Sequence, residues 1–254
     1  MMDWVHHLIL LPVLLPLACG AALIPLHMSR HRFKFAVSMG VLLAQVGVAL
    51  ALMVLADTEY WPQGIGVYLA ANWAAPFGIA LVADRLSALM LLLASVIGIA
   101  ALLFSLGRWS RVGVHFHSLF QFLLMGINGA CLTHDLFNLF VFFEVLLSAS
   151  YGLLLHASGS ARVKSGLHYI AINLMASFLF LVGATLIYGV TGTLNMADVA
   201  LKVAELPEAD RGLLQAGAAI LGVAFLTKAG LWPLNFWLVP AYSAAGAPVA
   251  AMFA

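Results

Sequence analysis

Seven hydrophobic runs, each long enough to cross a bilayer, follow one another at about 4–26, 35–56, 82–106, 114–133, 135–156, 165–190 and 213–238. A span needs ~20 apolar residues because every backbone N–H and C=O in hydrocarbon must be paired within its own helix. With 64% hydrophobic and 8% charged residues, the 254-residue chain has too little polar surface for a soluble domain. The fold class expected is therefore an all-α polytopic membrane protein of about seven helices. A further apolar segment begins near Gly246 and runs to Ala254, so an eighth helix is expected to start there and to continue in a longer polypeptide.

The first run is read as a retained helix. Asp3 stands where a secretory signal carries a cation, and Pro12 and Pro16 interrupt the apolar stretch. Loop charges set the orientation. Arg30, Arg32, Lys34, Arg108, Arg111, Arg162 and Lys164 fall in the odd-numbered loops, whereas only Arg85, Lys202 and Arg211 fall in the even ones, beside Asp57, Glu59, Asp84 and Asp135. The positive-inside rule then puts the odd loops in the cytoplasm and the N-terminus outside. Two even loops are long. WPQGIGVYLAANWAAPFGIALVAD has the glycines and alternation of a short β-hairpin, and TGTLNMADVALKVAELPEADR suits an interfacial helix ended by Pro207. Asp84–Arg85 is placed to cap the third helix. We divide the chain into residues 1–112, three helices with the outer hairpin, and 113–254, helices four to seven and the start of the eighth.

Two charges lie inside apolar runs: Glu144 in DLFNLFVFFEVLLSASYGLLL and Lys228 in GAAILGVAFLTKAGLWPLNFWL. A charge near the bilayer centre costs ~2.5–3.5 kcal/mol on insertion scales, so intramembrane ionisable groups face the bundle interior and mark ion pathways. On a helix, Ser148 and Tyr151 share the face of Glu144, making a polar seam. Lys228 precedes Gly230 and Pro233, and a proline there removes a helical donor, so a break in the seventh helix is expected beside the lysine. A buried carboxyl whose proton occupancy follows the position of a cation is the requirement for a coupling switch. A lysine, unlike an arginine, can release its proton there. The competing reading is a structural ion pair. His168 lies where the fifth loop enters the sixth helix, and Asn173 and Ser177 form an i, i+4 stripe beyond it, a candidate cytoplasmic proton route.

Other features are bland. Cys19 and Cys131 lie in apolar stretches and read as buried thiols. His115 and His117 are two apart, His27 and His31 lie among interfacial cations, and His6, His7, His134 and His156 read as interfacial, so no metal site is expected. The near-neutral charge gives no sign of nucleic-acid binding. No phosphate loop, dinucleotide fingerprint, paired CxxC or haem motif is present, so no cofactor is expected; redox chemistry or nucleotide hydrolysis would belong to partners.

LFNLFVFFEVLLSASYGLLLH, YGVTGTLNMADVA and LTKAGLWPLNFWLVPAYSAAGAPVAAMFA resemble the proton-conducting antiporter-like subunits shared by respiratory complex I and Mrp-type multisubunit Na+/H+ antiporters. WAAPFGIALVADRLSALM and the FNLFVFFEVLL stretch resemble the D-type subunit of the Mrp antiporter. The resemblance implies the first half of a fourteen-helix fold with two inverted repeats, each with a broken helix. It also implies an ion-paired switch at Glu144 and Lys228. The expected function is a bacterial inner-membrane subunit of a Na+ or K+/H+ antiporter, a secondary transporter acting in a hetero-oligomer within the lipid bilayer. The alternative is a proton-pumping subunit of a complex I-like NADH:quinone oxidoreductase or membrane-bound hydrogenase.

Overall fold

The computed structural model describes residues 4–58, 60–107, 113–156 and 159–253; Asp3, Glu59, Arg108, Arg111 and Ala254 lie outside them. A 3-10 turn at Trp4–Leu10 leads into α1 (Leu11–Leu23), followed by α2 (His31–Asp57), β1 (Gly66–Leu69), β2 (Ala80–Ala83) and α3 (Arg85–Ser105). Then come α4 (Phe116–Leu132), α5 (Leu136–Leu154), α6 (Ser160–Thr191), α7 (Met196–Glu205), α8 (Glu208–Lys228), α9 (Leu238–Ala244) and α10 (Ala247–Phe253). Among the described residues, six helical segments are long and apolar enough to cross a membrane. The shorter apolar α4, 17 residues, reaches ~25 Å at 1.5 Å per residue and makes the seventh. The chain is a multi-pass helical membrane protein.

Short polar residues start three of the helices. Asp84 closes a capping box with Ser87, Asp135 accepts from the Asn138 N–H at 2.8 Å, and Asn195 accepts from Ala197 and Asp198. All three lie at one end of the bundle, where the even loops are knitted into a cap. β1 and β2 pair antiparallel from Gly66↔Ala83 to Leu69↔Ala80. Ala80 accepts from the His134 N–H, and Asp135 bridges Asn195. The N-terminal turn joins this end through His7 against Tyr68. An exposed Arg85–Asp57 ion pair at 2.5 Å adds little at such a surface. The odd loops gather at the other end. Lys34 Nζ donates to the Val114 carbonyl at 2.9 Å, Gly113 packs on the His156 ring, and Arg162 donates to the carbonyls of His156 and Ala244.

Within α1, Pro16 has no N–H for the Pro12 carbonyl, which instead accepts from Gln45 Nε2 at 3.0 Å and Asn128 Nδ2 at 2.9 Å. Two side-chain amides from α2 and α4 thus make good the bond the proline removes, and the helix continues.

The seventh span, 213–238, is broken beside Lys228, as its glycine and proline lead one to expect. α8 ends at Lys228, five residues ahead of Pro233, because Gly230 adopts a left-handed φ of +62°. The Gly230 N–H donates to the Thr227 carbonyl and the Leu231 N–H to the Leu226 carbonyl, a Schellman closure. Gly230 ends the helix; Pro233 lies in the irregular stretch between α8 and α9, beyond that end. Trp237 Nε1 donates to Thr227 O at 3.0 Å, so the broken backbone is tied down within the membrane.

At one close helix crossing α8 packs onto α6. A Cβ on Gly183 would lie 2.8 Å from the Leu221 nitrogen and 2.9 Å from the Gly217 oxygen, both backbone atoms. Gly183→Ala is therefore expected to force the helices apart at a cost of about 1–3 kcal/mol. Gly189→Ala on the same helix, with nothing within 4 Å, is expected to be neutral or slightly stabilising. Thermal unfolding in detergent separates the two; equal midpoints would mean that the crossing tolerates a methyl group.

Candidate functional site

The α6–α8 crossing also sets the position of Lys228 relative to α6. Lys228 is the last residue of α8, where the unsatisfied carbonyls of the helix end favour a cation. Ser177 is buried on α6, and Lys228 Nζ donates to its Oγ at 3.0 Å. The same hydroxyl donates to Glu144 Oε1 on α5. The glutamate and lysine are therefore joined through a serine and not as a direct ion pair: ammonium to hydroxyl to carboxylate, all donors pointing one way. The partners are 33 and 51 residues from Ser177 in sequence.

An aromatic wall flanks this chain of contacts. Lys228 Nζ stands 5.4 Å from the centroid of the Phe143 ring, a favourable cation–π geometry. Phe143, Phe180 and Phe225 pack edge-to-face in a mutual cluster, with centroids 5.4–6.4 Å apart. Phe180 is fully buried. These rings exclude water from one side of the site and strengthen the electrostatics within it.

The remaining sequence candidates divide by helix face. Asn173 is buried one turn from Ser177, and its Nδ2 donates to the Tyr169 carbonyl at 3.0 Å. Tyr151 packs edge-on against Tyr169 at 5.4 Å, and the Tyr169 hydroxyl lies 3.0 Å from Ser150 Oγ. Asn173, Tyr169, Ser150 and Tyr151 thus continue the polar lining from Ser177 toward the odd-loop end. His168 is exposed and meets Phe236 in the α8–α9 break; nine residues from Ser177, it falls on the opposite face of α6. Ser148 is exposed too, lining with Glu144 a groove of about 430 Å³ between α4 and α5, walled by Leu119, Phe122 and Phe140. The structure brings Glu144, Ser177 and Lys228 together and leaves His168 and Ser148 outside that contact.

Hydropathy and charge alone do not single out Tyr169, Ser150 or Trp237. Tyr169 is nonetheless findable, since it precedes Asn173 by four and Ser177 by eight on one helical stripe. Among the described residues no cluster of His, Cys, Asp or Glu is arranged to hold a metal ion.

Residues 133–254, which contain this site, match the family model described as "NADH:quinone oxidoreductase/Mrp antiporter, TM". The chain is 59% identical over its full length to the probable K(+)/H(+) antiporter D subunit of Rhizobium meliloti (strain 1021), covering 47% of that protein. It is 44% identical over 98% of its length to the Na(+)/H(+) antiporter D subunit of Alkalihalophilus pseudofirmus, covering 49% of it. The chain thus spans about half the length of the curated relatives it matches. Among solved structures, the Mrp complex from Dietzia sp. DQ12-45-1b superposes with a TM-score of 0.86 at 34% identity, over 99% of this chain and 46% of the matched one. An all-helical membrane bundle, a broken helix beside Lys228 and these likenesses agree: the chain belongs to the NADH:quinone oxidoreductase/Mrp antiporter family and corresponds to the N-terminal half of its D-type members.

Proposed function

We propose that this chain belongs to a membrane subunit of a multisubunit monovalent cation/proton antiporter and moves protons through Glu144, Ser177 and Lys228. The observation that carries the reading is the one-way hydrogen-bond chain across three helices. A hydroxyl that accepts from an ammonium and donates to a carboxylate passes a proton by exchanging one O–H for another, without moving a heavy atom. When the proton reaches Glu144, both ends are neutral and the attraction that held them is gone. When Glu144 then releases that proton and another returns to Lys228 from the other side, both charges are restored. Asn173, Tyr151 and the neighbouring tyrosine and serine line the approach to Ser177. Ser148 extends the Glu144 face into the α4–α5 groove, and His168 approaches from the helix break.

The partners proposed are the other subunits of the hetero-oligomer and the surrounding lipid. The exchanged ions are H+ and either Na+ or K+, since relatives named for each cation match. Their naming as antiporter subunits favours exchange over the redox-driven pump of the wider family. The proposed location is the bacterial cytoplasmic membrane, with the odd loops in the cytoplasm and the N-terminus outside.

Ser177 supplies the test. In everted vesicles carrying the assembled complex, proton exchange is followed as recovery of a fluorescent ΔpH signal on adding NaCl or KCl. Ser177→Ala is expected to slow exchange about tenfold, the worth of one well-placed hydrogen bond. Ser177→Thr, which keeps the hydroxyl, is expected to stay within about twofold of the parent rate. Wild-type exchange by the alanine variant would exclude the serine as a proton carrier.

A further inference from the structure

A second set of buried polar side chains lies away from Glu144, on α1, α2 and α4. On α2 it consists of Lys34, Ser38 and Gln45; on α4 of His117, Gln121 and Asn128. The two sets share one spacing, i, i+4, i+11, which keeps each within a narrow stripe of its helix. They also match rung for rung, every pair 83 residues apart. Gln121 Nε2 donates to the Ser38 carbonyl at 3.3 Å and Asn128 Nδ2 to Gln45 Oε1 at 3.2 Å, both across that offset. Lys34 and His31, from the start of α2, are the titratable groups that act on His117. α1 completes the column: the Pro12 carbonyl joins the Gln45–Asn128 rung, and Cys19 lies beside Ser38, whose Oγ has no hydrogen-bond partner.

Four atoms on the α4 side of this column have no hydrogen-bond partner from the protein: Nδ1 and Nε2 of His117, Oε1 of Gln121 and Oδ1 of Asn128; Oγ of Ser118, one residue off the stripe, has none either. All four residues are at most 2% exposed. Buried polar atoms at this depth are satisfied by protein or by ordered water, and lipid offers neither donor nor acceptor. From His117 to Asn128 the atoms are spread over ~16 Å of helix, enough for a file of several waters. Beyond Asn128 lie Ile9, Leu52, Ala83 and Leu132, members of an apolar cluster under the even-loop cap.

We propose that α1, α2 and α4 bind a file of water molecules that enters at the Lys34–His117 end and stops at the Pro12 carbonyl, a hydrated site separate from the Glu144–Ser177–Lys228 chain. It does not depend on the transport reading: a scaffold with the same side chains binds the same water.

Two native side chains report on it, His117 at the mouth and Cys19 one rung deeper. The intact protein in lipid nanodiscs, with its native partners, is exposed to millisecond X-ray pulses, and hydroxyl-radical modification is read by mass spectrometry. Radicals made from bound water label the side chains beside it. His117 and Cys19 are expected to be labelled within about fivefold of the more open His115 and Cys131 despite their burial. Labelling of both at least ~20-fold slower overturns the proposal, and labelling of His117 alone also does, because the water then stops at the mouth. In Gln121→Leu the file is interrupted, and Cys19 labelling is expected to fall about tenfold while Cys131 is unchanged. Unaltered Cys19 labelling in a folded variant counts against the file. If that variant fails to fold, the parent measurement still decides.

Discussion

Lys228→Ala is expected to abolish cation-dependent proton exchange while leaving the complex assembled. The ammonium is the donor to the Ser177 oxygen, and Ser177 is the donor to Glu144. Removing it leaves a carboxylate whose cation is gone and a hydroxyl with nothing to take a proton from. Two unit charges a pair of hydrogen bonds apart, about 5 Å, attract by roughly 3 kcal/mol at an effective dielectric of ~20. Losing that term in one half of the cycle is expected to cut exchange by at least about 100-fold, since each ~1.4 kcal/mol is a factor of ten. Lys228→Arg sharpens the result. It keeps the charge at the helix end but holds its proton, so the proposed relay predicts assembly without exchange. Near-normal exchange by the arginine variant would mean that charge alone suffices and that the lysine never releases a proton. Blue-native gels of the solubilised complex separate failed assembly from failed transport.

The ends of this chain of contacts are legible in the sequence and its middle is not. Glu144 and Lys228 stand out because a charge in an apolar run has a large transfer cost, so a single sequence suffices to find it. The hairpin, the short helix α7 and the helix start at Asp84 are legible for a different reason: caps and turns are local chemistry. Ser177 reads as one member of a stripe, because a serine costs little in a membrane helix; its role depends on α5, α6 and α8 meeting, which no local pattern encodes. His168 shows how distance along the chain differs from shared helix face. It is near Ser177 along the chain, but ~100° per residue turns it to the other face of α6. Gly230 and Pro233 mark the helix break in the sequence, and of the two it is the left-handed Gly230 that ends α8 at Lys228. The α2–α4 column escapes a sequence reading altogether. Gln45, Gln121 and Asn128 are uncharged and hardly perturb a hydropathy window; only the 83-residue register between two helices reveals them as one feature.

Glu144→Gln is the complementary experiment, because it changes the charge and almost nothing else. The amide oxygen of glutamine can still accept from Ser177 Oγ, so the hydrogen-bond chain and the packing of α5 on α6 are expected to survive. The variant is isosteric, and no carboxylate is left without its cation. What it loses is a group that can take up and release a proton. If Glu144 is a proton acceptor, exchange is expected to fall by at least about 100-fold, with assembly and thermal stability close to those of the parent protein. If the residue only holds α5 against α6 and α8, glutamine preserves its role and exchange continues at near the parent rate. Glu144→Asp divides the remaining possibilities. It restores the acid but shortens the side chain by one methylene, which withdraws the carboxylate from Ser177 by ~1.5 Å and weakens a contact whose strength falls steeply with distance. A relay that runs through the serine is therefore expected to be slowed by Glu144→Asp, and slowed less than by Glu144→Gln. The order parent, aspartate, glutamine in exchange rate follows from proton transfer along the serine; parent, glutamine, aspartate follows from packing alone.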